Sequence, residues 1–225
     1  MLVLTADVTG DARRTALTVG AKDFITKPFD SVEVMLRVRN LLETGALYTR
    51  LQEHTDVIQA ALDQQLANER AAQQHREQAR NRIETVMDQG RLMMVYQPFV
   101  RLNDLEIVGA EALSRFTDEP HRPPNVWFDE AHDVGLLGAL ECDAVARALS
   151  RLAEFPDNTF MSVNASPSTS IDRQLRDLLA KPPADRIVLE LTEHNRVADY
   201  NELACCLESF RAAGGRVAVD DAGTG

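Results

Sequence analysis

Short apolar runs bounded by turn residues alternate with longer stretches of helix-forming residues, and the alternation divides the chain. Leu2-Val-Leu-Thr5 predicts a buried strand, and a helix follows from about Gly10 to Val19. Gly20-Ala-Lys-Asp-Phe-Ile-Thr-Lys27-Pro28-Phe29 predicts a turn, a second short strand and a Lys-Pro loop, with Asp30 or Ser31 capping a helix through about Glu43. From about Ala46 to Met87 there is no Pro or Gly, and Ala, Gln, Glu and Arg dominate, which is helix composition. Along it Leu51, Ile58, Gln65, Ala72, Ala79 and Val86 recur every seven residues, with Thr55, Leu62, Glu69, Arg76 and Ile83 four beyond them. This seam is apolar at its ends and polar in its middle. Two readings stay open: a connecting helix that pairs across a dimer and can shift register, or a solvated spacer without a partner.

Beyond Gly90 the period shortens. Strands over 92 to 100 and 106 to 114 precede helices over about 125 to 153, then strand, helix, strand, helix, strand, an order that suggests an α/β barrel. Glu111 and Arg115 fall on one face of their strand, roughly 13 Å apart. A lone acid there reads as a solvated strand end, but three later strands also finish on oxygen ligands: Phe160-Met-Ser-Val-Asn164, Ile187-Val-Leu-Glu190 and Val217-Ala-Val-Asp220-Asp221. Parallel barrel strands present their carboxyl ends on one face, and hard divalent cations take carboxylate and amide oxygens. Four strands can therefore converge on one metal site.

Composition narrows the chemistry. With 225 residues, 44% hydrophobic and 26% charged, the chain has room for one large or two small soluble domains. A formal net charge of -11 and no Lys/Arg-rich stripe argue against a nucleic-acid polymer as partner and are compatible with held metal ions. Cys142, Cys205 and Cys206 have neither zinc spacing nor a disulfide pattern, and no signal peptide or membrane-length apolar run is present, which predicts a soluble protein of the reducing cytoplasm. Ser166 lacks a nucleophile elbow, His121, His132 and His194 do not pair at ligand spacing, and His54 and His75 read as surface residues.

Thr5, Lys27 and Pro28, in this order, resemble the last two strand-helix units of a bacterial response-regulator receiver domain. The resemblance implies a partial flavodoxin-like fragment over 1 to 45, in which Thr5 and Lys27 contact a phosphorylated aspartate in the intact domain and the Lys-Pro bond is cis. It also implies an upstream histidine kinase for a full-length parent. The family's phospho-accepting aspartate and acidic magnesium pair lie on earlier strands, so this segment is expected not to be phosphorylated; Asp7 and Asp11 read as loop and helix-start acids.

A second resemblance covers about 88 to 225, after a helical linker over 46 to 87. Tyr96-Gln97-Pro98, Glu111-Ala-Leu113 with Arg115, Val163-Asn164-Ala-Ser166, Glu190-Leu-Thr-Glu193 and Asp220-Asp221-Ala-Gly-Thr-Gly225 together resemble the EAL domain of bacterial cyclic di-GMP phosphodiesterases. The resemblance implies a modified TIM-like (β/α)₈ barrel whose first strand is antiparallel, and two magnesium or manganese ions that assist opening of cyclic di-GMP to pGpG. By the same resemblance Glu111, Asn164, Glu190 and Asp220 bind the first metal, and Asp220 and Asp221 serve the second. Gln97 and Arg115 contact substrate, and Glu193 steadies the loop after the Asp-Asp strand. Ala222 stands where the family usually has Phe, which is expected to pack that loop less well.

Only five barrel strands can be counted before Gly225, so the expectation is a partial barrel, without the family's catalytic Lys and late Glu, that does not hydrolyse on its own. Two functions remain for the parent: a phosphodiesterase regulated through the linker and dimeric through linker and EAL domain, or a non-catalytic EAL module that binds nucleotide or partner. Intact early ligands favour the enzyme, since clustered carboxylates without a cation would repel one another.

Overall fold

The computed structural model describes residues 2–5, 14–15, 18–118, 121–192 and 200–219, with Leu4 and Thr5 as backbone only. Contacts divide the chain into two compact units, 1–71 and 72–225. In the first, β1 (Leu2–Thr5) and β2 (Asp23–Thr26) form a two-stranded parallel sheet with Thr5 opposite Thr26. Ala21 and Ile25 are buried, and the Lys27–Pro28 peptide bond is cis. Arg37 bridges Asp23 at 2.8 Å and Glu33 at 3.0 Å. Most of the expected helix over 10 to 19 lies outside the described residues.

The expected helix end near Glu43 is corrected. Helix α1 runs unbroken over Ser31–Asp88, 58 residues through Gly45. A helix-interior glycine costs about 1 kcal/mol relative to alanine, too little to interrupt good helix formers on both sides. The seam expected along α1 is also divided. From 46 to 78 every residue is exposed, whereas Ala79, Ile83 and Val86 are buried, Ile83 and Val86 in one cluster with Leu92, Phe116 and Trp127. The C-terminal end of the heptad pattern thus serves intrachain packing. Gly90, at φ 66, turns the chain out of α1.

The second unit is a five-stranded sheet in the order β3 (Leu92–Val100), β4 (Ile107–Phe116), β5 (Phe160–Ala165), β6 (Ile187–Leu191), β7 (Arg216–Val219). Strands β3 and β4 pair antiparallel, and β4 to β7 are parallel neighbours, an open sheet among the described residues. Helices α2 (Pro124–Asp133) and α3 (Leu137–Ser150) follow β4, the single turn α4 (Pro167–Ser170) and α5 (Arg173–Leu179) follow β5, and α6 (Tyr200–Ala212) precedes β7.

Period-two alternation explains the packing. Ala112 on β4, Met161, Val163 and Ala165 on β5, and Ile187, Leu189 and Leu191 on β6 face the helices, and are buried with Val145 and Ala148 of α3, Leu175 of α5 and Leu203 of α6. Phe116 stacks on Trp127 at 5.0 Å, fixing α2 against the end of β4. The other sheet face is left for the chemistry below.

Candidate functional site

Register decides which side chains meet. Gln97 lies opposite Glu111, Glu111 opposite Ser162, and Asn164 opposite Glu190. Directly paired residues share a sheet face, so these five, with Arg115 by alternation, occupy the face turned away from the helices.

At the lower end of this face Phe99 stacks on Phe160 at 5.4 Å, and the Arg216 guanidinium lies 4.4 Å from the Phe160 ring centroid. Gly109 is required there, because a Cβ would come within 2.7 Å of Phe160. The polar groups sit further along, toward the carboxyl ends of the parallel strands.

Asn164 Nδ2 donates to Glu111 Oε1 at 2.9 Å. An ionised carboxylate can only accept, so this contact fixes the sense of the amide and turns Oδ1 the other way. Asn164 Oδ1 is buried and has no hydrogen-bond partner. Leaving such an oxygen unsatisfied costs about 1–3 kcal/mol, and a hard cation is the kind of partner that an amide oxygen between two carboxylates suits. Ser162 Oγ donates to Glu190 Oε1 in a short hydrogen bond and lies 3.4 Å from Val188 O. Ser162 is fully buried, so it orients the Glu190 carboxylate from within the sheet.

Gln97 and Arg115 are exposed on the same face, and Arg115 donates to Ser114 O at 2.8 Å. Beside Arg115 and Asn164 a cavity of about 460 Å³ opens between β4, α2 and α3, reaching Asn125, Phe128, His132 and Glu141. Asp220, Asp221 and Glu193 lie outside the described residues. Lys27 is exposed in the first unit, where Thr5 is defined by its backbone pairing alone. Among the described residues no three His, Cys, Asp or Glu side chains converge as a metal cluster; the oxygen donors brought together are Glu111, Asn164 and Glu190.

Two contributors escaped the sequence reading. Ser162 had a signal, since it stands two residues before Asn164 and so on the same face. Glu141 had only its oddness as an acid in the apolar run Leu136-Leu-Gly-Ala-Leu-Glu-Cys142. Burial raises the Glu141 carboxyl above its ordinary range, although hydrogen bonds from Thr169 and Ser166 oppose this. Burial likewise pushes the Cys142 thiol up to about 11, with the Asp172 and Glu141 charges adding, so it is a packing residue and not a nucleophile.

Comparison with known proteins gives the family. The EAL domain family matches residues 76–225. The chain belongs to that family. An uncharacterized protein of Mycobacterium tuberculosis is 31% identical over 156 residues, covering 64% of this chain and 51% of that protein. The probable cyclic di-GMP phosphodiesterase PdeI of Escherichia coli is 29% identical over 163 residues, 65% of this chain and 20% of that protein. The EAL chain thus spans about half the length, or less, of these curated relatives. Among solved structures, the phosphodiesterase PaMucR in complex with c-di-GMP superposes with a TM-score of 0.57 at 23% identity, over 66% of this chain and 65% of that one, a likeness of fold. The likeness to such neighbours fits a TIM-like α/β fold, which in the EAL chain has an antiparallel first strand followed by parallel ones.

Proposed function

We propose that the protein carrying this EAL domain binds cyclic di-GMP and, with two divalent cations, magnesium or manganese, hydrolyses it to linear pGpG. The observation that carries the reading is Asn164: its amide nitrogen is held by Glu111, and its buried oxygen has no partner on the face that also carries Glu190. In this reading Glu111, Asn164, Glu190 and Asp220 hold one cation, with Asp220 and Asp221 serving the other. When bound, the cations would supply the positive charge that polarises a water and the phosphodiester in an in-line displacement.

The chain's own residues do the rest. Arg115 offers a planar fork of donors that matches a phosphate oxygen pair, and its exposure leaves it able to meet a dianionic ligand. Gln97, opposite Glu111, can donate to the same ligand without adding charge. Glu193 is read as support for the loop that follows Asp221. In the first unit, the β1-β2 pair and the Lys27-Pro28 loop are read as the end of a receiver domain, with a histidine kinase upstream of the parent. Residues 46–87 of helix α1 are read as the linker, pairing with a second copy.

Binding is the direct test of this reading, because Arg115, Gln97 and the oxygens of Glu111, Asn164 and Glu190 must act on the ligand and its cations before any bond is broken. Calorimetric titration of the chain with cyclic di-GMP in magnesium buffer is expected to give saturable binding. Arg115→Ala should weaken it about tenfold or more, as expected for loss of a charge-assisted contact. No binding at any magnesium concentration would end the reading, and binding indifferent to chelator would favour the non-catalytic module.

A further inference from the structure

Glu141 belongs to no ligand set, yet it is 7% exposed and opens on the same cavity as Asn164 and Arg115. Each of its oxygens meets Ser166 at the exit of β5, Ser166 N–H donating to Oε1 at 3.1 Å and Ser166 Oγ to Oε2 at 2.8 Å, with the Thr169 side chain as a further partner. The Ser166 hydroxyl also accepts from Thr169 N–H at 3.3 Å, capping α4, and lies 3.0 Å from both Thr169 Oγ1 and Ser168 Oγ. Ser170 Oγ donates to Ser166 O at 2.9 Å, and Thr192 N–H reaches Ala165 O at 3.3 Å. Ala165 O and both backbone groups of Ser166 are therefore held, and Glu141 is the tie that runs to a different helix.

Packing alone does not ask for an acid here. A leucine of similar volume would avoid the desolvation of a carboxylate, at the cost of leaving the Ser166 N–H without a partner. The carboxylate instead fixes both the N–H and the hydroxyl of Ser166, and with them the point where β5 stops being a strand. Asn164 is two residues upstream, so the same constraint sets the direction of its side chain.

We propose that Glu141 is a positioning residue of the EAL site, holding Ser166 so that Asn164 keeps its amide on Glu111 and its oxygen toward the cation position. The role given to that oxygen rests on the metal reading above; the positioning itself does not. Glutamine can replace the acid without loss, since its carbonyl can accept from Ser166 N–H and its amide can donate to Ser166 Oγ.

The test follows the Asn164 side-chain amide by nitrogen-proton NMR on the full chain, its signals assigned by their disappearance in Asn164→Asp. In the unsubstituted chain and in Glu141→Gln the two amide protons should be unequally shifted, one being bonded to Glu111. In Glu141→Leu they should move toward the values of a free amide. Manganese broadening of these signals should require about tenfold more ion in Glu141→Leu, as second-shell losses do, and be restored in Glu141→Gln. Should Glu141→Leu fail to fold, Ser166→Ala removes one of the two ties and should shift the same signals part-way. Unchanged Asn164 signals in folded Glu141→Leu or in Ser166→Ala would overturn the proposal, as would a Glu141→Gln variant that behaves like leucine. If manganese leaves the signals of the unsubstituted chain sharp, the metal reading fails, while the amide shifts still decide the positioning role.

Discussion

At the scale of single residues, Glu111 and Glu141 lie in surroundings that make different demands. Glu111 accepts from Asn164 on the open sheet face, whereas Glu141 is enclosed and its carboxyl is raised by burial despite three hydrogen bonds that favour the charged form. The sign of the resulting pH dependence is fixed. A folded-state value above the unfolded one means the folded chain holds the proton more tightly. Its contribution to stability is then fully present below the unfolded value and is lost as pH rises through the folded value. Glutamine has no charge to bury. Glu141→Gln should therefore gain stability relative to the unsubstituted chain as pH rises from the acidic range to neutrality, measured by urea denaturation across that range. A difference between the two chains that does not change with pH would show that burial does not control this carboxyl.

At the scale of elements, helix α1 changes character along its length. Its last turns put Ala79, Ile83 and Val86 into the core, and Arg82 pairs with Glu130 of α2, which Arg122 reaches at 2.8 Å. Burial alone would raise the Glu130 carboxyl, but bonds from Arg82 and Arg122 outweigh it and hold it below its ordinary value. Earlier in the helix Tyr48, Leu51, Ile58 and Leu62 are between 48% and 66% exposed on one seam. The charged residues of 40 to 68 are Glu43, Arg50, Glu53, Asp56 and Asp63, and every one falls outside both the seam and its flanking positions. No like charges would face each other if a second copy lay along the seam in parallel register. Leu51→Lys combined with Ile58→Lys should weaken self-association at least about 100-fold, given about 1.5–3 kcal/mol for each buried aliphatic side chain. Val57→Lys, an exposed change off the seam, should leave it unaltered. Sedimentation equilibrium separates these outcomes, and a monomer in the unsubstituted chain would favour the solvated spacer.

For the whole molecule, what the sequence disclosed depended on how local the determining physics was. Strand order beyond Gly90 and the shared face of Glu111, Asn164 and Glu190 were legible because alternation and strand-end residues are local signals. The continuity of α1 through Gly45, the burial of Ala79, Ile83 and Val86, and the tie from Glu141 to Ser166 depend on cooperative or distant contacts that spacing does not report. Net charge joins these scales. At -11 the chain repels itself, so any salt should stabilise it somewhat by screening, and a site-bound cation should add more. Comparing manganese with sodium chloride at equal ionic strength separates the two. An ion present at about 100 times its dissociation constant contributes about 2.7 kcal/mol, which for a domain of this size is roughly 5–10 °C in melting temperature. Glu111→Gln should keep the sodium increment and lose most of the manganese increment, because it removes one carboxylate and the acceptor that orients Asn164. Equal increments from manganese in the two chains would place the ion's effect on the general charge of the surface, and the oxygen of Asn164 would need another partner.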